Sequence, residues 1–283
     1  ASLPQSELDL KSQYGFLYPE SLCNENYYSL VKSIYVRTTK NDLKLTPPIF
    51  HHEEVEMIPI HKELYQKIKE LYKKNDFESL SDQMTMRKLK GCVMHLLQIS
   101  SNPMIISDEE FQKAVKNIGL ETSLDEYSSK FTEVLKKVRE LTSKNEKVLI
   151  WTSFTKNIDL LKNELIDLNP VYIDGRVNLG DDESKEIGTR RGNIDKFKND
   201  PNCMVFIANP AAASEGISLH VNDKGKKVCS KAIYLDRNFN CSQFLQSIDR
   251  IHRIGSLETP EIFLYKTLNS VDIKVQSRLD EKV

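Results

Sequence analysis

The chain has 283 residues, of which 39% are hydrophobic and 29% charged, enough to bury one large core or two modest ones, and the length suits about two domains. Its 40 basic residues are balanced by 41 acidic ones, so overall charge names no partner, and any nucleic-acid surface has to be a local patch. No apolar run approaches the ~18 residues that span a bilayer. The opening ASLPQSELDL lacks the basic and apolar regions of a signal peptide, so the expectation is an intracellular protein. The cysteines (Cys23, Cys92, Cys203, Cys229, Cys241) are odd in number and far apart, with no C-x-x-C pair. That spacing predicts reduced, mostly buried thiols rather than a disulfide framework or a zinc knuckle.

Up to Thr46 the sequence mixes polar loops with one short apolar stretch around Leu30, Val31, Ile34 and Val36. From 47 to 60, Pro47 and Pro48 are followed by alternation through Glu54, Val55, Glu56 and Met57, which predicts a strand with one buried face. A helical block comes next. Leu64, Tyr65, Ile68, Leu71 and Tyr72 fall at helical spacing, and Leu89, Val93, Leu96 and Leu97 repeat it until Asn102 and Pro103 stop it. Lys62, Lys67, Lys69, Lys73, Lys74, Arg87, Lys88 and Lys90 give this block a basic cast. Because Glu63, Glu70, Asp76 and Glu78 are interleaved, it reads as a solvated helix face.

From about Ser128 the elements alternate. A helix (Phe131, Val134, Leu135, Val138, Leu141) precedes the strand KVLIWTSF at 147–154, then come a helix with Ile158, Leu161, Leu165 and Leu168 and a strand at 171–174. A helix around Ile194 and Phe197, strands at 203–208 and 231–236, a helix over 241–253 and a strand at 261–266 complete the series. Short Val-, Ile- and Phe-rich runs between amphipathic helices predict an α/β fold, a parallel sheet with helices on both faces. Such sheets bind ligands at the carboxyl ends of their strands, which directs attention to the loops after Phe154, Asp174, Ala208 and Asp236.

The segment QSIDRIHRIG at 246–255 spaces Gln246, Arg250 and Arg253 at i, i+4 and i+7, one narrow stripe of a helix at about 100° per residue. Planar guanidinium forks on such a stripe match phosphate oxygens. A solvated face, with arginines complementing the helix dipole and Gly255 as cap, fits the same spacing. His252 leans toward the apolar side of that helix. His51 and His52 beside Glu53 and Glu54 do not make H-E-x-x-H, since position 56 is Glu56, and read as a charged strand end.

The order of motifs resembles the second RecA-like lobe of Swi/Snf-type DNA translocases of helicase superfamily 2. VLIWTSF (148–154) is similar to the family's fourth motif. Asp174, Gly175, Arg190, Ile194 and Phe197 follow its D-G and R-x-x-x-I-x-x-F pattern, and ANPAAASEGISL (208–219) resembles its fifth motif. YLDRNFN (234–240) is similar to its stretch with an acid three residues before Trp-Asn, and QSIDRIHRIG resembles its sixth, Q-x-x-x-R-x-H-R-I-G. Upstream, YVRTTKNDLKLTPP, HKELYQKI and LLQISSNPMII resemble its R-R-T-K, Q-x-x-L-Y and N-H-P segments, and VDIKVQSRLDEKV is similar to its brace.

The resemblance implies a domain plan: 1–46 as the end of a first lobe, 47–127 as a strand plus helical protrusion, 128–269 as the second lobe, and 270–283 as a brace-like helix. It implies Arg250 and Arg253 as arginine fingers toward the ATP γ-phosphate, with Gln246, Gly216 and Ser218 lining the same cleft. Ser153, Arg176, Ser214 and Phe239 take the positions that contact double-stranded DNA. ATP and Mg²⁺ would be bound mainly by the first lobe, and no G-x-x-x-x-G-K-[ST] occurs, the nearest fragment being Gly225, Lys226 and Lys227. The acidic clusters at Asp108 to Glu110 and Asp181 to Glu183 follow no apolar strand, so neither reads as a Mg²⁺ box. The expectation is therefore the motor half of a longer DNA-dependent ATPase, cytoplasmic if bacterial and nuclear if eukaryotic, and inactive in ATP hydrolysis without a first lobe. A stand-alone nucleic-acid-binding module and an interaction scaffold of the same fold are the competing readings. The family's glycine pair becomes Ala213 and Ser214, Cys241 replaces a proline and Ser256 a glutamine, departures that suggest a divergent member, bacterial or phage-defence-like.

Overall fold

The computed structural model describes residues 7–19, 40, 42–43, 45–74, 82–178, 188–213 and 216–281. The chain divides into two units, 1–46 and 47–283. The first contains one described helix, α1 (Glu7–Leu17). The apolar stretch from Leu30 to Val36 and the acidic cluster at 181–183 fall outside the described residues, as do Cys23 and Ser214.

The second unit begins with β1 (Ile49–Val55), α2 (Pro59–Lys74), α3 (Asp82–Ser101) and α4 (Glu109–Asn117). It continues through α5 (Ser129–Ser143), β2 (Lys147–Trp151), α6 (Thr155–Glu164), β3 (Val171–Ile173), α7 (Arg190–Asn199) and β4 (Val205–Ala208). The last elements are α8 (Pro210–Ala213), β5 (Cys229–Tyr234), α9 (Cys241–Ile248), β6 (Glu261–Thr267) and α10 (Val271–Asp280). The six strands form one sheet in the order β1-β6-β5-β2-β4-β3, with every pair parallel. The expected parallel α/β architecture is therefore present.

Strand alternation decides which face each residue joins. Leu149, Trp151, Phe206, Ala208, Ala232, Tyr234, Ile262 and Leu264 enter one core with Phe197, Phe244, Ile248, Val275 and Leu279 of α7, α9 and α10. Val148, Ile150, Val205, Ile207, Ile233 and Phe263 enter the other with Phe131, Val134 and Val138 of α5 and Ile158 and Leu161 of α6. Because both faces are covered, the central strands read as continuous apolar runs, and each such side chain contributes about 2 kcal/mol of burial. The helical block has its own core, in which Leu64, Tyr65 and Ile68 of α2 meet Ile99, Ile106, Phe111 and Val115. Leu71 escapes it at 42% exposure, although its spacing fits the stripe.

Asp108 caps α4 by accepting from the Phe111 N–H at 2.8 Å, which accounts for that acid without a metal. His51 Nε2 donates to the Glu261 carboxylate at 3.0 Å, and its ring stacks on Phe263 with centroids 4.6 Å apart. That is the charged strand-end role expected of it. Cys203 and Cys229 are buried, whereas Cys92 and Cys241 are half-buried, and all four are free thiols. Among the described residues no helix is long and apolar enough to cross a membrane.

The 241–253 helix is shorter than its periodicity predicts. It ends at Ile248, with Asp249 as its C-cap. In a continuing α-helix the Arg250 N–H would bond to the Gln246 carbonyl; instead Arg250 Nε takes that carbonyl at 2.8 Å, and the backbone N–H goes to Ser247 at 3.2 Å. The carbonyl of Arg250 accepts from the Leu219 N–H at 2.9 Å. Competing partners thus unwind the last turn, so Gln246, Arg250 and Arg253 do not form one helical stripe.

A buried ion pair fastens the carboxyl-terminal helix. Lys130 Nζ, on α5, lies 2.6 Å from Asp272 Oδ2, with the lysine 1% and the aspartate 5% exposed. Asp272 also accepts from the Thr267 N–H at 2.8 Å and Ser100 Oγ at 3.0 Å, so α5, α3, β6 and α10 meet on one carboxylate. Removing the cation alone strands that charge out of water, and Lys130→Met should lower unfolding free energy by about 3 kcal/mol in urea titrations. A Lys130→Met, Asp272→Leu double variant should recover most of the loss.

His61 on α2 is 1% exposed, and neither ring nitrogen has a hydrogen-bond partner of good geometry among the described residues. Burial lowers its pKa from the ordinary 6.5, and the nearby Ser123 backbone and Glu126 offset this only in part. Between the folded and unfolded values the unfolded chain binds more protons, so this residue costs nothing above pH 6.5 and destabilises the fold as pH falls below it. His95 and His220 are shifted the same way by burial. Melting scans of His61→Leu from neutral to about pH 5.5 should show a shallower decline than the parent, whose histidines must charge on unfolding.

Candidate functional site

One buried carboxylate ties together the loops that leave the carboxyl ends of the sheet. Asp236, two residues beyond β5, is 3% exposed. Its Oδ2 accepts from Thr152 Oγ1 at 2.6 Å, Ser101 Oγ at 2.8 Å and Asn157 Nδ2 at 3.3 Å, and its Oδ1 accepts from the Ser153 N–H at 2.6 Å. Four donors stand in for water around a charge that has none. They come from the end of α3, the loop after β2 and the first turn of α6.

Asn209, directly after β4, completes the arrangement by donating from Nδ2 to the Ser153 carbonyl at 2.9 Å. Its Oδ1 is held in turn by the Ala211 N–H at 2.9 Å. Both backbone groups of Ser153 are therefore fixed by side chains from neighbouring loops, while its Oγ is buried without a partner among the described residues. No local amide takes up that hydroxyl.

A second cluster surrounds the turn that follows α9. Arg250 NH1 donates to the Ile217 carbonyl at 2.8 Å, in addition to the bonds that end the helix. His220, 8% exposed, places Nε2 3.2 Å from the Ile254 carbonyl and Nδ1 3.0 Å from Ser218 Oγ. Since a carbonyl only accepts, Nε2 carries the proton and Nδ1 accepts from the serine hydroxyl. Burial pushes the His220 pKa down, the Ile254 carbonyl works against this, and the charges of Arg253 and Lys198 add to the lowering, which keeps the ring neutral. Gly216 (φ +68°) and Gly255 (φ +88°) turn the chain through the left-handed region at either side of this contact.

These bonds bring Gly216, Ser218, Gln246, Arg250 and Arg253 into one neighbourhood. Arg253 is exposed, whereas Arg250 spends its donors on the carbonyls of Gln246 and Ile217. His252 is 4% exposed, as its predicted direction required. Among the described residues no group of three or more His, Cys, Asp or Glu side chains is placed to hold a metal ion.

Arg176, in the loop after β3, is fully engaged by carboxylates. NH1 and NH2 form a fork on Asp159 at 2.8 and 2.9 Å, and Nε and NH2 reach Asp174 at 2.9 and 2.6 Å. These hydrogen bonds hold the arginine pKa above its ordinary value and the Asp159 pKa below it. Phe239 is 42% exposed rather than packed in the core. The loop that carries it is secured on both sides: Asn240 caps α9 through the Gln243 N–H at 3.1 Å, and the buried Arg237 donates to Gln276 of α10 at 2.5 Å. The Gly225 to Lys227 fragment is a structural turn, with Lys227 paired to Glu146 at 2.9 Å and Glu258 at 2.6 Å.

Sequence reasoning missed Asn157, Asn209, Ser101 and His220. Asp236 carried a signal, a charged residue directly after an apolar strand, but its donors lie up to 135 positions away, beyond the reach of any periodicity.

Residues 129–255 match the helicase conserved C-terminal domain family. Chromodomain-helicase-DNA-binding protein 6 of Rattus norvegicus is 28% identical over 286 residues, covering 94% of this chain and 10% of the relative. The crystal structure of the C-terminal part of the Fun30 ATPase domain superposes with a TM-score of 0.60 at 22% identity, covering 83% of this chain and 90% of that one. The Sulfolobus solfataricus SWI2/SNF2 ATPase core in complex with dsDNA gives a TM-score of 0.59 at 19% identity, covering 96% of this chain and 53% of that one. The structural likenesses establish the fold. The chain spans between 10% and 22% of the length of the first curated relatives it matches.

The His220 bridge predicts a measurable effect. In His220→Phe the contact between residues 216–220 and 249–255 loses the hydrogen bond from Nε2 to the Ile254 carbonyl. The Leu219 amide, which donates to Arg250, should then exchange with deuterium roughly fivefold or more faster, one bond's worth at about 1 kcal/mol, while the β2 amides stay as protected as in the parent.

Proposed function

We propose that this chain is the second motor lobe of an ATP-dependent translocase acting on double-stranded DNA, a reading supported by the match of residues 129–255 to the helicase conserved C-terminal domain family and by the Swi/Snf-type superfamily 2 ATPases among the chain's relatives. The observation that carries the reading is the turn at 249–255, clamped to residues 216–220 through Arg250 and His220 with Arg253 exposed at its surface. A pinned backbone that presents a guanidinium outward is what an arginine finger requires, because its value lies in needing no reorganisation as charge develops on the phosphoryl group.

In this reading Arg253 is the finger that reaches the γ-phosphate. Arg250 positions the turn, since its guanidinium already serves two carbonyls. Gly216, Gln246 and Ser218 border the same cleft, with Ser218 oriented by His220. ATP supplies the phosphoanhydride whose cleavage drives movement. Mg²⁺ and most of the nucleotide belong to a first lobe elsewhere in the parent protein, and residues 1–46, 47–127, 128–269 and 270–283 serve as the end of that lobe, the protrusion, the second lobe and the brace. DNA backbone contacts fall to Ser153, Ser214 and Phe239, which carry no sequence preference and so suit tracking along a duplex. Arg176 joins them only by exchanging Asp159 and Asp174 for phosphate.

The test is Arg253→Ala in the parent protein with both lobes. DNA-stimulated ATP turnover should fall on the order of 10³-fold, while affinity for duplex DNA is retained and the 283-residue chain alone hydrolyses no ATP. Unchanged turnover in the variant would overturn the motor-lobe reading and leave a non-catalytic DNA-binding module, whereas brisk hydrolysis by the chain alone would overturn it by showing an ATPase site complete without a first lobe.

A further inference from the structure

We propose that Asn209 and Asp236 are positioning residues for DNA binding, acting through Ser153, which they hold so that its hydroxyl is kept for a phosphate oxygen. The inference rests on the DNA-facing reading of Ser153 given above.

Three observations meet on this serine. Its N–H is fixed by the Asp236 carboxylate at 2.6 Å and its carbonyl by the Asn209 amide at 2.9 Å. The hydroxyl of the same residue is buried with no partner among the described residues. In a folded protein a buried hydroxyl left unbonded costs free energy, so such groups are uncommon and call for an explanation. The residue as a whole is only half-buried. The proposal requires that a rotation about χ1 bring the hydroxyl to solvent; among the described residues it has no hydrogen bond to break in doing so. The protein holds the peptide still while leaving the hydroxyl free to donate.

The supporting groups are suited to this. Asp236 receives donors from Ser101, Thr152 and Asn157 besides Ser153, so it is locked from three directions and cannot follow a mobile loop. Asn209 is itself fixed by the Ala211 N–H at 2.9 Å. The loops after β2, β4 and β5 are thereby hydrogen-bonded into one group, and a phosphate seated on Ser153 would be registered against all three. Neither supporting residue needs to touch DNA.

A double-mutant cycle on the 283-residue chain, read by fluorescence anisotropy with a labelled duplex oligonucleotide, tests this. Ser153→Ala should weaken binding about fivefold, the factor that one neutral hydrogen bond is worth. Asn209→Ala and Asp236→Asn should each weaken it to a similar degree, yet cause no further loss when combined with Ser153→Ala. Ser153→Thr, which keeps a hydroxyl, should restore most of the affinity. Asn209 is half-buried, so its variant keeps the test open should Asp236→Asn fail to fold. If Ser153→Ala weakens binding while Asn209→Ala leaves affinity unchanged, or weakens it equally in both backgrounds, the positioning role is wrong and the DNA contact at Ser153 stands. If Ser153→Ala itself binds duplex like the parent, the DNA-facing reading falls and the positioning proposal falls with it.

Discussion

A carboxylate taken out of water has to be surrounded by donors, and this requirement organises the molecule at two points. Asp236 draws Ser101, Thr152, Ser153 and Asn157 around itself, and Asp272 draws Lys130, Ser100 and the Thr267 amide. The two sites share α3, whose consecutive serines Ser100 and Ser101 serve one acid each. Through that helix end the loops at the top of the sheet and the carboxyl-terminal helix are fixed to the same piece of backbone. The apolar core makes the sheet stable, but it is the satisfaction of these two charges that decides where the loops lie.

The arginine turn follows the same logic with opposite sign. Helix α9 stops at Ile248 because its next peptide groups have better-placed partners, an arginine side chain and a neighbouring loop. The result is a tight turn whose carbonyls and amides are occupied from both sides. A guanidinium on a continuing helix would have been one more solvated charge; on this turn it is carried by backbone that is already spent. The same termination separates the roles of the two arginines, one turned inward to carbonyls and the other outward.

Much of this fold was legible in the chain. The runs at 148–151, 205–208 and 262–265 are apolar throughout because both faces of a parallel strand are covered, and the stripe from Phe131 to Leu141 marks α5, whose cap at Ser128 only the structure shows. The length of α9 was not legible, since periodicity reports which residues would share a face if a helix formed and is blind to a distant carbonyl that competes for its hydrogen bonds. The same limit hid Asn209 and His220. Each acts through one or two polar contacts made across more than 30 residues, and neither disturbs the hydrophobic pattern by which strands and helices are read. Arg176 illustrates the converse: its motif position suggested a phosphate ligand, and two nearby aspartates, Asp159 and Asp174, claim it.

The pairing of β1 with β6 has a consequence for how the chain is made. Residues 49–55 find their sheet partner only at 261–267, so the first strand of this unit emerges long before the last and waits as an unpaired edge through the synthesis of everything between. Native order is completed late, by a contact of very high sequence separation, which makes assembly slow and leaves the β1 backbone open to wrong partners in the interval. Once the seam closes, the helical block between β1 and α5 is anchored at both its ends: to β6 through the strand, and to the Asp236 cluster through Ser101, Asn102 and Ser128. A load applied to those helices would then be shared between two separate attachments to the sheet, bracing the block like a buttress instead of hanging it from one point.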